Sequence, residues 1–447
     1  MFSQKKTMNS FLLLLSVAFL HAIVLGNVFT FGLFIPELSV KMGRDTTDVA
    51  FIGSMEYLLF LFSGLLVLLN RSSHDNAPAV IGVILWFIGY LTSIFVTNDY
   101  VIFTGVFVTF AGLGSGLVYW STLAMVPTWF WSRKEELVVC GLTLRRVPLA
   151  MATLSLSPAC YNLVFPYAVE AYGTGLLFNQ SWSSTYIITV PICAIVMLII
   201  SLNTHRIVGE HNENREGDYR SKLSFSLLLI GIICFQSAFF VPYVYIVPYM
   251  ETFNATVAET SLATSLIGGG SICGRIIFAL LCSTFGMPGE LMAFNSYCMS
   301  IILFIWLICK DVIGMTIFSF FFGFTSGACY VLFPVYFATK WVNVNWFNYG
   351  PASLLTFKLS LFSGSLFLGE LCSSLVNLLA FPHNGNITST MLFAGISSMI
   401  GSILFFVGLV IERQQMNIVS DDDTTSSLVV NDNNNGEDDK MKQRIII

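Results

Sequence analysis

Runs of about twenty apolar residues recur along most of the chain, and that is the length an α-helix needs to cross the hydrocarbon core of a bilayer. Twelve such runs can be drawn, at 9–34, 48–70, 78–97, 100–127, 137–164, 184–204, 223–248, 257–282, 289–309, 312–338, 350–380 and 390–411. Backbone immersed in lipid must satisfy its own polar groups, so runs of this length predict helices and not open sheets. Composition agrees. Of 447 residues, 55% are hydrophobic and 11% charged, where a soluble domain carries about 25% charged residues. The expected fold is an all-α membrane protein of twelve transmembrane helices. Lys5 and Lys6 precede the first run, as in a secretory signal. That run continues to about Phe34 without a small-residue cleavage site, so it reads as a retained first helix.

An even number of spans leaves both termini on one side. With that side in the cytosol, the cytosolic segments hold Lys5, Lys6, Arg71, Arg133, Lys134, Arg206, Arg215, Arg220, Lys222, Lys340 and Arg413, and the opposite side holds Lys41, Arg44 and Lys310. Such an excess of basic residues marks the cytosolic face. Asn179-Gln-Ser, Asn254-Ala-Thr and Asn386-Ile-Thr, three glycan-acceptor triplets, all fall in loops assigned outside, which favours a secretory-route membrane and the cell surface first. The expected organisation is a cytosolic start at 1–8, a six-helix half at 9–204, a polar cytosolic loop at 205–222, a second six-helix half at 223–411 and an acidic tail at 412–447. The tail holds Asp421, Asp422, Asp423, Asp432, Glu437, Asp438 and Asp439 among Ser and Asn, and it cannot bury enough apolar surface to fold. The ten cysteines lie in or beside the apolar runs without CxxC spacing, so they read as small hydrophobes. No metal and no cofactor is expected.

One motif occurs twice. The fourth run contains Gly112-Leu-Gly-Ser115-Gly116-Leu-Val-Tyr119, and the tenth contains Gly323-Phe-Thr-Ser326-Gly327-Ala-Cys-Tyr330. Both read GxxSGxxY and both sit fourth in a set of six, so the halves are expected to be parallel repeats with a binding site between them. Gly112 with Gly116, Gly323 with Gly327, and Gly270 with Gly274 are small-xxx-small pairs expected to pack helices closely. No phosphate-loop motif and no nucleophile–base pattern stands out, which argues against an ATP-driven pump and against an enzyme.

Charges inside apolar runs are costly and need a partner, water or a ligand. Arg145, Arg146, Arg275 and Lys358 are four such cations. Counted from the run ends, all four fall about 10–14 Å from the cytosolic face. The acidic residues Glu56 and Glu370 fall nearer the other side. A cationic layer without matching carboxylates favours an anionic ligand. Arg145 also reads as a residue that snorkels to the interface. Glu56 and His21, near the middle of their runs, are the candidates for carrying a proton, and each has the plainer reading of a satisfied packing residue. Gln236, Tyr243 and Tyr245, with Pro242 and Pro248 beside them, are candidates for lining a cavity or for kinking the seventh helix.

These features resemble the major facilitator superfamily over about residues 9–411. Within it, Gly26-Asn-Val-Phe-Thr-Phe-Gly32-Leu-Phe-Ile-Pro-Glu-Leu and Gly112-Leu-Gly-Ser-Gly116, followed by Trp129-Phe130 and Arg133-Lys134, are most similar to the monocarboxylate transporter and oxalate–formate antiporter branch. The resemblance implies alternating access, a monomer, and carboxylate binding by an arginine in the eighth helix and a lysine in the eleventh, here Arg275 and Lys358. The chain departs from the branch in its opening, which lacks the acidic-glycine-tryptophan motif, and in the second-to-third loop, Asn70-Arg71-Ser-Ser-His74-Asp75. The Arg145-Arg146 pair stands where the family usually has small residues. Three functions fit: a carrier of a small organic anion, a carrier of an amino acid or other zwitterion with Glu56 or Glu370 holding its ammonium, and a transport-incompetent receptor or scaffold.

Overall fold

The computed structural model describes residues 2–69, 77–131, 137–139, 142–144, 146–173, 182–204, 222–340, 351–380 and 387–414, with side chains described over 12–67, 77–123, 148–169, 182–203, 223–337, 359, 361–376 and 387–414. Arg145, Asn179, Asn386, most of the central polar loop and the tail beyond 414 lie outside these residues. Arg146 and Lys358 are described in backbone only.

Among the described residues twelve helices run in order: α1 (Leu12–Met42), α2 (Thr46–Val67), α3 (Ala77–Phe95), α4 (Tyr100–Leu123), α5 (Arg146–Gly173), α6 (Trp182–Thr204), α7 (Leu223–Glu251), α8 (Val257–Phe285), α9 (Pro288–Trp306), α10 (Val312–Lys340), α11 (Pro351–Ala380) and α12 (Thr388–Gln414). Eleven are long and apolar enough to cross a bilayer among the described residues, and α11 contributes the apolar stretch Leu361–Val376. The helices form two parallel sets of six, as the sequence repeat predicts.

The expected fifth run, 137–164, is corrected. Leu137–Val139 (β1) and Leu142–Leu144 (β2) pair as a short antiparallel hairpin, and α5 starts only at Arg146. The β-branched Val138, Val139 and Thr143 favour extended backbone, with Val139 paired to Leu142 at the hairpin's closed end. Arg146 therefore opens α5 instead of sitting two turns inside it, and the cationic layer loses that member.

α1 and α7 are first in their halves, and both break near the face opposite the chain termini. α1 passes through a tight 3-10 turn at Phe31–Phe34 before Pro36, and α7 breaks at Phe240 before Pro242. Proline has no N–H for the preceding turn, so each break follows from local sequence. α4 carries a π-helical turn at Phe107–Gly112.

The repeated motif packs equivalent helix pairs. A Cβ on Gly112 would meet the Glu56 carbonyl at 2.8 Å, and one on Gly116 would collide with Ser63 and Phe60, so α4 lies tight on α2. Gly323 and Gly327 stand in the same way against Ile267 and Ser271 of α8, and Gly270 and Gly274 against Phe320 and Phe324 of α10. The glycines thus have the packing role expected of them.

Candidate functional site

The tyrosines that end the two motif copies meet where the halves meet. Tyr119 of α4 and Tyr330 of α10 line a cavity of about 40 Å³ together with Tyr57, Phe60, Trp120, Gln236, Phe239 and Phe333, among others. That volume holds a few water molecules. Contacts between the halves lie on both sides of it. Towards the face opposite the termini, Phe29 stacks on Tyr243 at 4.5 Å and Tyr57 on Phe240 at 4.1 Å. Towards the terminus-bearing face, the Ser363 hydroxyl donates to the Leu61 carbonyl at 2.8 Å, and Trp120 meets Phe362 edge-on at 6.3 Å. The described form is therefore close to occluded.

Arg275 borders this site. It is 1% exposed, and its guanidinium carbon lies 5.1 Å from the centre of the Tyr330 ring. Its Nη1 donates to the Ser155 carbonyl of α5, which ties α8 to the other half. Its Nε–H has no acceptor, and no carboxylate pairs with it among the described residues. A cation withdrawn from water costs several kcal/mol unless it is paired. A ring face and one carbonyl return only part of that. Arg275 is thus under-neutralised, as its sequence position suggested.

The buried acids sit apart from it. Gln236 Nε2 donates across the cavity wall to the Tyr57 hydroxyl at 3.4 Å and to Glu370 Oε2 at 3.5 Å. Both bonds are long, so Glu370 is loosely held. Glu56 points into the first half, where Oε1 accepts from Tyr90 at 3.3 Å and Oε2 has no hydrogen-bond partner. Nearby, Asn27 Oδ1 accepts from both Tyr161 and Tyr186, at 2.7 and 3.0 Å.

The remaining expected residues divide. Gln236 lines the cavity. Tyr243 and Tyr245 are buried but lie off its wall; Tyr243 bonds Ser326 at 3.0 Å and stacks on Phe29. His21 is buried against the Tyr119 ring at 4.4 Å, with Nε2 2.9 Å from the Thr122 hydroxyl. Thr122 spends its proton on the Val118 and Tyr119 carbonyls, so His21 Nε2 is the donor in that pair. Asn254 lies in the exposed turn between α7 and α8 with φ 60°. The aromatic lining itself was not anticipated. Its signal was the Tyr at the end of each motif copy, which repeats as faithfully as the glycines.

Residues 17–343 match the Major Facilitator Superfamily. Among curated proteins, the MFS-type transporter opdF of Penicillium oxalicum is 23% identical over 81% of this chain and 80% of its own length. Monocarboxylate transporter 13 of Bos taurus is 23% identical over 73% of this chain and 74% of its own. Among solved structures, the human organic anion transporter MFSD10 superposes with a TM-score of 0.57 at 12% identity, covering 91% of this chain and 99% of that one. Proton:xylose and peptide carriers share the fold as well, so the likeness extends over several substrate classes.

Proposed function

The chain belongs to the Major Facilitator Superfamily, and on that premise we propose that it carries a small carboxylate, with Arg275 receiving the charge. Proteins of this fold move small molecules by alternating access, two halves rocking about a central site. The observation that carries the anionic reading is a single one: Arg275 is buried between the halves with a carbonyl and a ring face beside it and no carboxylate partner among the described residues. A substrate carboxylate would supply the missing charge through charge-assisted hydrogen bonds. Lys358, on α11, is the second cation in this reading, on the strength of the monocarboxylate-carrier resemblance. Arg146 opens α5, better placed to meet the membrane interface than the site. The cavity must widen to admit a substrate, and the close contacts on both sides of it are the ones that would part.

Uptake of labelled lactate, pyruvate and oxalate into vesicles holding the purified chain tests this. Loss of a charge-assisted hydrogen bond predicts a fall of about 10- to 100-fold in uptake for Arg275→Gln and for Lys358→Gln. Saturable carboxylate uptake unchanged in both would end the anionic reading.

A second reading has its own support in Glu370, which reaches the cavity wall through Gln236. In that reading the substrate is an amino acid, its carboxylate on Arg275 and its ammonium on Glu370. Amino-acid uptake that fails in Glu370→Gln, with no carboxylate uptake in the unaltered chain, would favour it. The basic loops support cytosolic termini, the glycan-acceptor triplets support a glycosylated protein at the plasma membrane, and the family resemblance supports a monomer.

A further inference from the structure

A second cavity lies away from the site, on the outer side of the second half between α9 and α12. It encloses about 500 Å³ and is lined by Ala293, Phe294 and Tyr297 of α9 and by Ile403, Phe406 and Val410 of α12, with Glu290 and Arg413 at its mouth. Ser402 of the lining bonds the Ser300 hydroxyl at 3.0 Å, and Ser300 also bonds Ser398 at 2.8 Å, which pins the two helices together. Leu409 of the lining rests against Gly289 of α9, which also abuts Tyr336. Phe294 and Phe406 flank the opening at 62% and 63% exposure.

Two features identify the occupant. From Ser402 to Arg413 the helix rises about 16 Å at 1.5 Å per residue, close to half of the roughly 30 Å hydrocarbon core. The groove thus runs from the headgroup level towards the midplane, the reach of one acyl chain. At the headgroup level stand one cation and one anion, and neither Arg413 nor Glu290 makes an ion pair among the described residues. Such a rim fits a headgroup with a phosphate and an N–H-bearing ammonium in sequence.

We propose that this groove binds one phospholipid with an aminoethyl headgroup from the leaflet on the terminus-bearing side, its phosphate on Arg413, its ammonium on Glu290 and one acyl chain between α9 and α12. A choline headgroup has no N–H to donate to Glu290. A glycerol headgroup has no ammonium at all. The site is independent of the carboxylate reading, because it shares no residue with the inter-half cavity.

The test is native mass spectrometry of the full chain released from micelles doped equally with palmitoyl-oleoyl phosphatidylethanolamine, phosphatidylcholine and phosphatidylglycerol. One retained phosphatidylethanolamine per chain, preferred about threefold as expected for exposed ion pairs, supports the site if Arg413→Ala and Glu290→Gln each level the preference. Both substitutions are at exposed positions that the fold tolerates. Equal retention of the three lipids, a preference for phosphatidylglycerol, or a phosphatidylethanolamine preference that survives both substitutions would overturn it.

Discussion

Arg275, Glu56 and Glu370 are buried deep in the bundle without one another's company. Arg275 faces the boundary between the halves, Glu370 reaches it through Gln236, and Glu56 is enclosed within the first half. Each is short of partners, and in lipid that shortage is more often functional than structural. Glu56 keeps one oxygen free of hydrogen bonds, so of the two expected proton carriers it has the better geometry. His21 is engaged on Thr122 and packed on Tyr119. We therefore expect uptake by Glu56→Gln protein to lose any response to an imposed pH gradient, whereas His21→Gln, which keeps an N–H for Thr122, retains it. A gradient response of normal size in Glu56→Gln would remove Glu56 from the coupling. At Arg275, replacement by lysine is expected to leave transport nearly as poor as replacement by glutamine. A compact ammonium cannot reach the Ser155 carbonyl and present a planar fork to a carboxylate together. Wild-type uptake by Arg275→Lys would show that charge alone suffices.

At the level of the helix, close approach decides which changes are tolerated. Gly274 lies against the Phe324 backbone with no room for a Cβ, whereas Gly105 on α4 has nothing within 4 Å. Gly274→Ala must push α8 from α10, and overpacking of this kind costs about 1–3 kcal/mol. Gly105→Ala adds helix propensity worth up to about 1 kcal/mol at no steric cost. Thermal unfolding of the purified chain should therefore show a lowered Tm for the first and an unchanged or raised Tm for the second. Equal Tm values would mean that the two helices can part freely. The packing of these glycines was legible from their spacing alone, because four residues return a helix to nearly the same face. The hairpin before α5 was not legible. Leu137, Val138, Val139, Leu142 and Leu144 are as apolar as a spanning helix requires, and hydropathy does not separate a short strand from a helical turn.

Across the whole molecule, the question is how the halves move. On the face opposite the termini, the broken ends of α1 and α7 touch: a Cβ on Gly32 would lie 2.7 Å from the Tyr243 carbonyl and 3.5 Å from that of Val244. If this contact opens in each cycle, linking it should stop transport. Gly32→Cys alone crowds the Tyr243 carbonyl and lowers uptake, so the pair with Val244→Cys is read against it: oxidation to a disulfide is expected to abolish uptake, and reduction to restore it to the level of Gly32→Cys alone. Continued flux through the oxidised pair would show that the gate lies elsewhere. The number of helices could be read from run length, and the close approach of α4 to α2 and of α10 to α8 from one repeated motif. Those properties depend on spacing along the chain, which a sequence displays directly. That Arg275 lies beside the cavity, and that Glu370 reaches it while Glu56 does not, was decided only by the tertiary structure. Those depend on where each helix begins and how it is rotated about its axis, and that rotation is set by the glycines and rings of neighbouring helices far away in sequence.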